Sequence, residues 1–497
     1  MKSISKISLV ILLFLFPFFK NNYASTGRIG ALGGTTFALI DDDLQLNLYD
    51  FAGNPAWLIQ DQSRKWLDIS VSNQHASGAF KRSYEPETQN ESYLRFVGVK
   101  PLDDRQTFKG YFYYRNERRL RTPFAVERDI FRDDPFRLMD DTIGQIEFSG
   151  AELGFEYSRK MANRLFAGVL LDYRIESGLK KDFPKPAAIN RDLTAKFGLI
   201  WDFSVRNKIG CEFFYENNQS SLEMAESGRN ETRSLLLQVF RGERIFTQHL
   251  GASEFFTNSA GYGFQVEALT SIQPNWKFVI LGRCRFDSLS VKNSLIRPDN
   301  EGYWQARQFS GQMRMAYDFN STPLRLSCSY VYLNQNDWAQ HPDFSVLIGD
   351  DDSMIHQLGL GICLTPMNST LVWALECHWE NSQVVKRDYI SQLCADGRIN
   401  YISAKSGLEY NPNQKCSFRI GGQIGQSRIS STLTQFSEFY HDHRTYALTG
   451  GIGWRNENLH LNFTIFYQIQ KQSTLSILAA PSRNGFYVLA ESRIFKF

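Results

Sequence analysis

Long apolar runs are scarce in this chain of 497 residues. After residue 24 no stretch approaches the roughly 18 apolar residues that a membrane-spanning helix needs. Charge of one sign is scarce too, because 55 basic and 52 acidic side chains leave a formal net charge of +3, and nothing indicates a nucleic-acid partner. The seven cysteines are irregularly spaced and contain no C-x-x-C pair, so the sequence predicts no disulfide framework.

Residues 1–24 have the layout of a secretory signal peptide. A short basic start precedes the apolar run "ISLVILLFLFPFF", and small residues follow it, with cleavage expected after Ala24. The run is short for a membrane span and is interrupted by Pro17. A retained anchor is the alternative. The sequence therefore predicts an exported protein that begins near residue 25.

The stretch "RIGALGGTTFALIDDD", residues 28–43, places Gly30, Gly33 and Gly34 at the start of the exported chain. A dinucleotide-binding fingerprint needs a strand before its glycines and a helix after them. No strand pattern precedes this run, and export separates it from cytosolic phosphate donors. Tight turns and close backbone packing are the better interpretation of these glycines.

Apolar and polar residues alternate over stretches of about ten residues, such as 193–203, 309–319 and 459–469. Strands of water-soluble sandwiches are typically about five or six residues long. Alternation over about ten residues is typical of strands that cross a bilayer in a closed barrel, with one face toward lipid and the other toward the lumen. The same pattern predicts that Cys211, Cys284, Cys328, Cys377 and Cys416 lie on the lipid face and stay unpaired.

The connections alternate between short and long. Short polar turns are expected at 159–164, 204–208, 272–275, 320–323, 366–369, 411–415 and 455–458, and longer loops at 118–147, 288–305, 335–353, 382–396 and 428–441. This asymmetry is typical of bacterial outer-membrane barrels. About 18 strands are predicted, within a range of 14–20. Residues 218–259 are left open as two further barrel strands or an extracellular hairpin.

Aromatic residues make up 14% of the chain, and many are predicted near strand ends, where Trp and Tyr form interfacial girdles. The candidates are Trp66, Trp201, Trp276, Trp373, Trp379, Trp454, Tyr410 and Tyr467. The chain closes on "SRIFKF", in which Phe495 and Phe497 resemble the C-terminal aromatic signal that the barrel-insertion machinery reads. That machinery, outer-membrane lipid and lipopolysaccharide are the expected partners.

The N-terminal stretch resembles that of FadL-like outer-membrane proteins, which include fatty-acid transporters, hydrocarbon channels and PorV-type secretion components. The positions that match are Gly30, Gly33, Gly34, Asp41, Asp42, Asn54, Pro55 and Ala56. The chain departs from the pattern at Trp57, where the family usually has glycine, and in the inserted residues 44–52. The resemblance implies that residues 25–65 form a plug inside a barrel of residues 66–497, in the outer membrane.

The resemblance implies a passive channel for small hydrophobic molecules that needs no cofactor. The alternative is a PorV-like structural barrel that docks exported proteins through its outer loops. A barrel enzyme is a third reading, for which His356 and His378 are candidates, but no G-x-S-x-G or H-E-x-x-H motif occurs, and the chain is not predicted to be an enzyme.

Two kinds of pattern contain residue types that can bind metal ions. "YHDHRTY", residues 440–446, places His441 and His443 on one face of an extended chain, but no third ligand follows. Acidic pairs and triplets at 133–134, 140–141 and 350–352 lack the spacing of a calcium loop. No metal site is predicted.

Overall fold

The fold is derived from a computed structural model that describes residues 52–61, 65–182, 185–204, 206–224, 236–239, 245–248, 254–273, 275–293, 300–319, 324–341, 346–364, 371–390, 392–413, 415–436, 439–473 and 481–495. The expected signal peptide and most of the expected plug, with Gly30, Gly33, Gly34, Asp41 and Asp42, lie outside these residues, as does Phe497. No helix among the described residues is long and apolar enough to cross a membrane.

The described chain begins with a 3-10 turn, Pro55–Trp57, and a single helical turn α1, Leu58–Asp61. Twenty strands follow: β1 Trp66–Gly78, β2 Thr88–Asp103, β3 Gln106–Ala125, β4 Phe136–Ala162, β5 Leu165–Lys180, β6 Pro186–Ser204, β7 Asn207–Met224, β8 Leu236–Val239, β9 Ile245–Gln248, β10 Glu254–Gln273, β11 Trp276–Lys292, β12 Asn300–Asp318, β13 Leu324–His341, β14 Val346–Leu364, β15 Leu371–Asp388, β16 Leu393–Asn413, β17 Cys416–Ile429, β18 His443–Arg455, β19 Leu459–Gln472 and β20 Ser482–Ile494.

Eighteen of the described strands form one closed antiparallel barrel. Each pairs with its neighbours in chain order, β7 pairs directly with β10, and β20 pairs with β1 to close the sheet. Closure leaves no strand edge unpaired in lipid. β8 and β9 form a hairpin on the first residues of β4, outside the eighteen. The predicted number of about 18 barrel strands is confirmed. Of residues 218–259, whose structure the sequence left open, 218–224 belong to barrel strand β7 and 254–259 to barrel strand β10, and the hairpin of β8 and β9 lies between them.

The outer wall carries an apolar belt at the positions that the alternation predicted. Val169, Phe197, Phe309 and Leu461 are among its exposed side chains. The opposite faces of the same strands turn into the lumen, where Ile200 is 1% exposed. The fold is thus a transmembrane β-barrel of the outer-membrane type. The seven cysteines are free, including the five that the strand registers predicted to be unpaired.

The two ends of the barrel differ as expected. The strand ends that flank the seven predicted short turns lie together at one end, with the start of β1 and the end of β20, and this end is here called the short-turn end. Most of the predicted girdle lies there too, as with Trp66, Trp276 and Trp454 at strand ends. Phe495 directly follows β20, and its N–H donates to Asn458 O at 2.9 Å.

The predicted long loops are wrong in extent. Residues 382–396 are mostly strand, because β15 and β16 are joined by residues 389–392 alone, and β3 and β4 cover most of 118–147. Backbone pairing continues beyond the lipid belt, where no apolar face is required. The alternation of apolar and polar residues therefore stops at the rim of the membrane, whereas the strands continue beyond it. The sequence of these outer strand segments is as polar as that of a loop, which is why they were predicted as loops.

Candidate functional site

The candidate site is the segment of residues 52–61, which lies inside the barrel and is called the plug below. Asn54 is extended (φ −76°, ψ 120°), and its Oδ1 accepts from the Ala56 N–H at 2.9 Å. Pro55 follows at the first position of the 3-10 turn, where its fixed φ suits the turn and biases Asn54 away from helix. Asn54, Pro55, Ala56 and Trp57 are all buried.

One carboxylate of the barrel wall holds the turn of the plug. Glu267 on β10 accepts through Oε1 from Asn54 Nδ2 at 2.5 Å and from Trp57 Nε1 at 2.9 Å. Gln265, two residues away on the same face, donates to Ala52 O at 2.6 Å and to Glu267 Oε2 at 2.9 Å. Asn54 Nδ2 also donates to Cys211 O at 3.1 Å. The plug is therefore fixed by directed hydrogen bonds as well as by packing.

Two glycines make the space in which the turn lies. Gly168 on β5 and Gly198 on β6 face each other across the strand pair. A Cβ atom on Gly168 would lie 2.4 Å from Ala56 N, and one on Gly198 would lie 1.8 Å from Asn54 Oδ1. Both distances are far below contact, so this close approach of the plug to the wall requires glycine at both positions.

Apolar packing completes the seat, which we define as the wall residues that contact the plug. Ala52, Ala56 and Trp57 form one buried cluster with wall side chains of β5, β6 and β11, namely Phe166, Ile200, Val279 and Leu281. Trp57 is 1% exposed. Ser158, near the end of β4, donates to Ala56 O at 3.1 Å, which places the plug at the short-turn end of the lumen.

Ion pairs line the lumen between the plug and the outer end. Arg115 on β3 lies 2.7 Å from Glu117 and 3.2 Å from Glu176. Arg174 and Asp192, on β5 and β6, pair at 2.5 Å. These charges are paired with one another, as charges withdrawn from water must be.

Residues 126–139 fold over the outer end and form what we call the lid. Phe136, the first residue of β4, lies so close to β12 that a Cβ on Gly302 would be 2.4 Å from its ring. β12 is six strands away around the wall, so this segment crosses the mouth of the barrel. Phe136 joins Val126, Leu138 and wall residues of β6, β7 and β10 to β14 in one apolar cluster.

Other outer loops clasp the lid. Tyr440, from residues 430–442, donates to Glu85 Oε1 at 2.5 Å, and Arg82 lies 3.5 Å from the centre of the Phe131 ring. Burial alone would raise the pKa of Glu85, but Arg82, Arg483 and the Tyr440 hydrogen bond hold it below its usual range. Under the lid Lys180 pairs with Asp140 at 2.5 Å with both side chains fully buried.

The histidine candidates do not converge on a site. His443 is buried, with its ring centre 5.4 Å from that of Phe80, whereas His441 is exposed. His378 lies 3.2 Å from Glu376 in the lumen, and His356 bonds the Tyr330 hydroxyl at 2.8 Å. Over the described part of the chain no group of three His, Cys, Asp or Glu side chains could hold a metal ion.

The acidic clusters serve as ion-pair partners in the structure. Asp350 lies 2.6 Å from Arg387, and Asp351 lies 2.5 Å from Lys386. Each pair joins β14 to β15 beyond the lipid belt. Asp140 is the partner of Lys180 described above.

Sequence reasoning singled out Asn54, Pro55 and Ala56, and the structure places them together in one buried turn. It missed Glu267 and the two seat glycines. Their signal is a lumen-facing glycine at the same level on two paired strands, β5 and β6. A polar pair, Gln265 and Glu267, follows on the lumen face of β10, two strands further around the wall. That signal becomes readable only once the strand registers are known.

Comparison with known proteins assigns a family. Residues 55–487 match the model of a family of unknown function, DUF6850, and the chain belongs to it. A search of curated proteins finds no match.

Solved structures with a similar fold are outer-membrane barrels. The ferric preacinetobactin receptor BauA of Acinetobacter baumannii is 9% identical, over 86% of this chain and 80% of that one, with a TM-score of 0.47. The outer-membrane transporter YddB of Escherichia coli is 6% identical, over 86% and 80%, with a TM-score of 0.41. A mutant of the monoaromatic hydrocarbon channel TodX is 12% identical, over 89% and 93%, with a TM-score of 0.36. Similarity at this level carries no argument about substrate.

Proposed function

We propose that this protein is a passive outer-membrane channel that is closed at rest, with the plug as its gate. The observation that carries the proposal is the seat. Glu267 accepts from both Asn54 and Trp57, and Gly168 and Gly198 leave room for the turn. A barrel that served only as a scaffold could fill its lumen with its own wall side chains and would need no fitted seat.

Placement in the outer membrane is supported by the exterior of the barrel. The belt of exposed apolar side chains surrounds a closed sheet, and such a surface is stable in lipid because every backbone group has an in-sheet partner. The short-turn end then faces the periplasm, as in bacterial barrels of this type.

Small hydrophobic molecules are the proposed cargo, in keeping with the resemblance to FadL-like channels. Support comes from apolar side chains that turn inward at both ends of the lumen, under the lid and around the plug. An inward apolar cluster that spans β6 to β14 offers such molecules a surface that a water-filled pore lacks. The ion pairs of the lumen lie between the two apolar clusters. On this proposal they help to keep the resting channel closed to ions.

Uptake into cells that lack their own general channels tests the proposal. We expect the protein to accelerate entry of radiolabelled toluene over cells without it, and to leave entry of arabinose, a polar probe, unchanged. Equal toluene entry with and without the protein in the outer membrane would refute the apolar cargo. Faster entry of both probes would indicate an open pore and refute the gate.

A docking barrel is the second candidate, because the outer loops are ordered against one another. Tyr440, Glu85, Arg82 and Phe131 join three separate loops in one clasp. If docking is the function, exported proteins should copurify with the barrel, and Tyr440→Phe should reduce their yield. Toluene should then enter cells that carry the wild-type protein no faster than cells without it.

A further inference from the structure

Four cations form a row on the outer wall of β16 to β19. Each is four residues beyond an exposed apolar belt side chain of its own strand, on the same face and away from the short-turn end. The pairs are Ile402 with Arg398, Ile424 with Arg428, Leu448 with Arg444, and Tyr467 with Lys471. The row therefore lies just beyond the lipid belt, at the depth of the outer-leaflet headgroups.

The cations are close to one another. Arg444 is directly opposite Lys471 in the strand ladder, where facing Cβ atoms are about 4.5–5.5 Å apart. Gln426 is opposite Arg444, and Asn400 is opposite Arg428. Arg428 is thus one diagonal step from Arg444, and Arg398 one diagonal step from Arg428, about 7–8 Å each.

Among the residues that the structure describes, the row has no ion-pair partner. No carboxylate lies within 4.0 Å of any of the four cations, although Asp396 and Asp442 are each two residues from an arginine of the row. Like charges directly opposite in a sheet are destabilising. The rim of β3 to β5 differs, because there Arg118 and Lys181 share Glu147 at 3.6 and 2.7 Å.

We propose that the row binds a phosphorylated glycolipid of the outer leaflet, with its phosphate groups between the cations and its acyl chains against the belt. Guanidinium groups match phosphate oxygens in bidentate geometry, which would remove the repulsion between Arg444 and Lys471. Ile402 and Ile424, 61% and 50% exposed, offer apolar surface to the chains directly below. Free phosphate would meet the charge but leave this apolar surface unused.

Native mass spectrometry of the full-length protein in mild detergent, titrated with diphosphoryl lipid A, tests the proposal. We expect Arg444→Gln with Lys471→Gln to weaken binding about tenfold or more, since each basic residue near a lipid surface contributes appreciably. The matched control, Arg118→Gln with Lys181→Gln, removes two rim cations that are already paired and should leave binding unchanged. The heat-dependent gel shift of a folded barrel verifies both variants.

Two further probes separate the sources of the phosphate. The affinity of the wild type for dephosphorylated lipid A should be no higher than that of the Arg444→Gln, Lys471→Gln variant for diphosphoryl lipid A. Inorganic phosphate, added at the same concentration as diphosphoryl lipid A, should not displace that lipid from the wild type. Equal affinity of the wild type for the phosphorylated and dephosphorylated lipids would overturn the proposal. An equal loss in the control variant, or competition by inorganic phosphate, would also overturn it. If neither double variant folds, the single substitution Arg444→Gln is measured instead. It is expected to weaken binding of diphosphoryl lipid A by less than tenfold, and an unchanged affinity would refute the site.

Discussion

Replacing Gly198 by alanine should dislodge the plug. The added Cβ would lie 1.8 Å from Asn54 Oδ1, so Asn54 must move by more than about 1 Å to reach ordinary contact. That movement breaks its hydrogen bonds to Glu267 and Cys211 O and the bond from Ala56 N–H. A bond to a charged group contributes about 1.5–3 kcal/mol, and each of the others about 1 kcal/mol.

The combined loss of about 3.5–5 kcal/mol corresponds to a shift of roughly 300- to 4,000-fold in the ratio of seated to unseated plug. We expect planar-bilayer recordings of Gly198→Ala to show frequent openings where the wild type is mostly closed. Gly282→Ala is the matched control, because Gly282 is also opposite a glycine in the ladder and a Cβ there meets nothing within 4 Å.

A double-mutant cycle identifies the cause. In an Asn54→Gly background the added methyl at position 198 has no side chain to strike, so Gly198→Ala should change the open fraction little further. The reasoning fails if folded Gly198→Ala stays as closed as the wild type. It also fails if the substitution has the same effect with and without the Asn54 side chain.

Three further outcomes are expected. Trp57→Phe removes one donor to Glu267, which is 1% exposed, and should raise the open fraction less than Gly198→Ala does in the same bilayer assay. Tyr440→Phe leaves Glu85 without its hydroxyl donor, so hydrogen exchange in residues 79–87 should rise by about tenfold or more. Burial raises the pKa of Glu127 in the lid to about 7, although the charges of Arg132 and Arg137 act to lower it. The closed lid therefore favours the protonated carboxyl. Closing is most favourable below about pH 4.5, the ordinary pKa of an exposed Glu, and becomes less favourable as the pH rises to about 7. Exchange in residues 126–139, corrected for intrinsic rates, should be faster at pH 8 than at pH 5, and Glu127→Gln should abolish the difference; an unchanged difference would contradict the burial argument.

The barrel was largely predictable from the sequence because lipid and lumen impose opposite chemistry on successive residues. Residues 193–203 show this: Phe197 and Trp201 are exposed to the lipid side, and Ile200 is buried in the lumen. Beyond the lipid belt that constraint ends, and the extents of β3, β4, β15 and β16 were mistaken for loops. The registers, and with them the contacts of the lumen, depend on pairing between distant segments.

The plug shows the same limit from another side. Asn54 and Pro55 could be recognised from their local motif, since they shape the turn that they occupy. Glu267 is 213 residues from Asn54, and no local pattern marks it as the acceptor. The lid was not predicted either, because the contact of Phe136 with the opposite wall follows from closure of the barrel.

Photo-crosslinking in intact outer membranes tests the central claim most directly. Ile59, which is partly buried against the plug cluster, would be replaced by benzoylphenylalanine in the full-length chain, irradiated, and its crosslinked peptides identified by mass spectrometry. A plug seated in the lumen predicts crosslinks within the same chain to peptides of the barrel wall, above all those of β3 and β4, which lie beside α1. Crosslinks confined to other proteins, or their absence from every barrel peptide, would show that the segment lies outside the lumen and would contradict the gate.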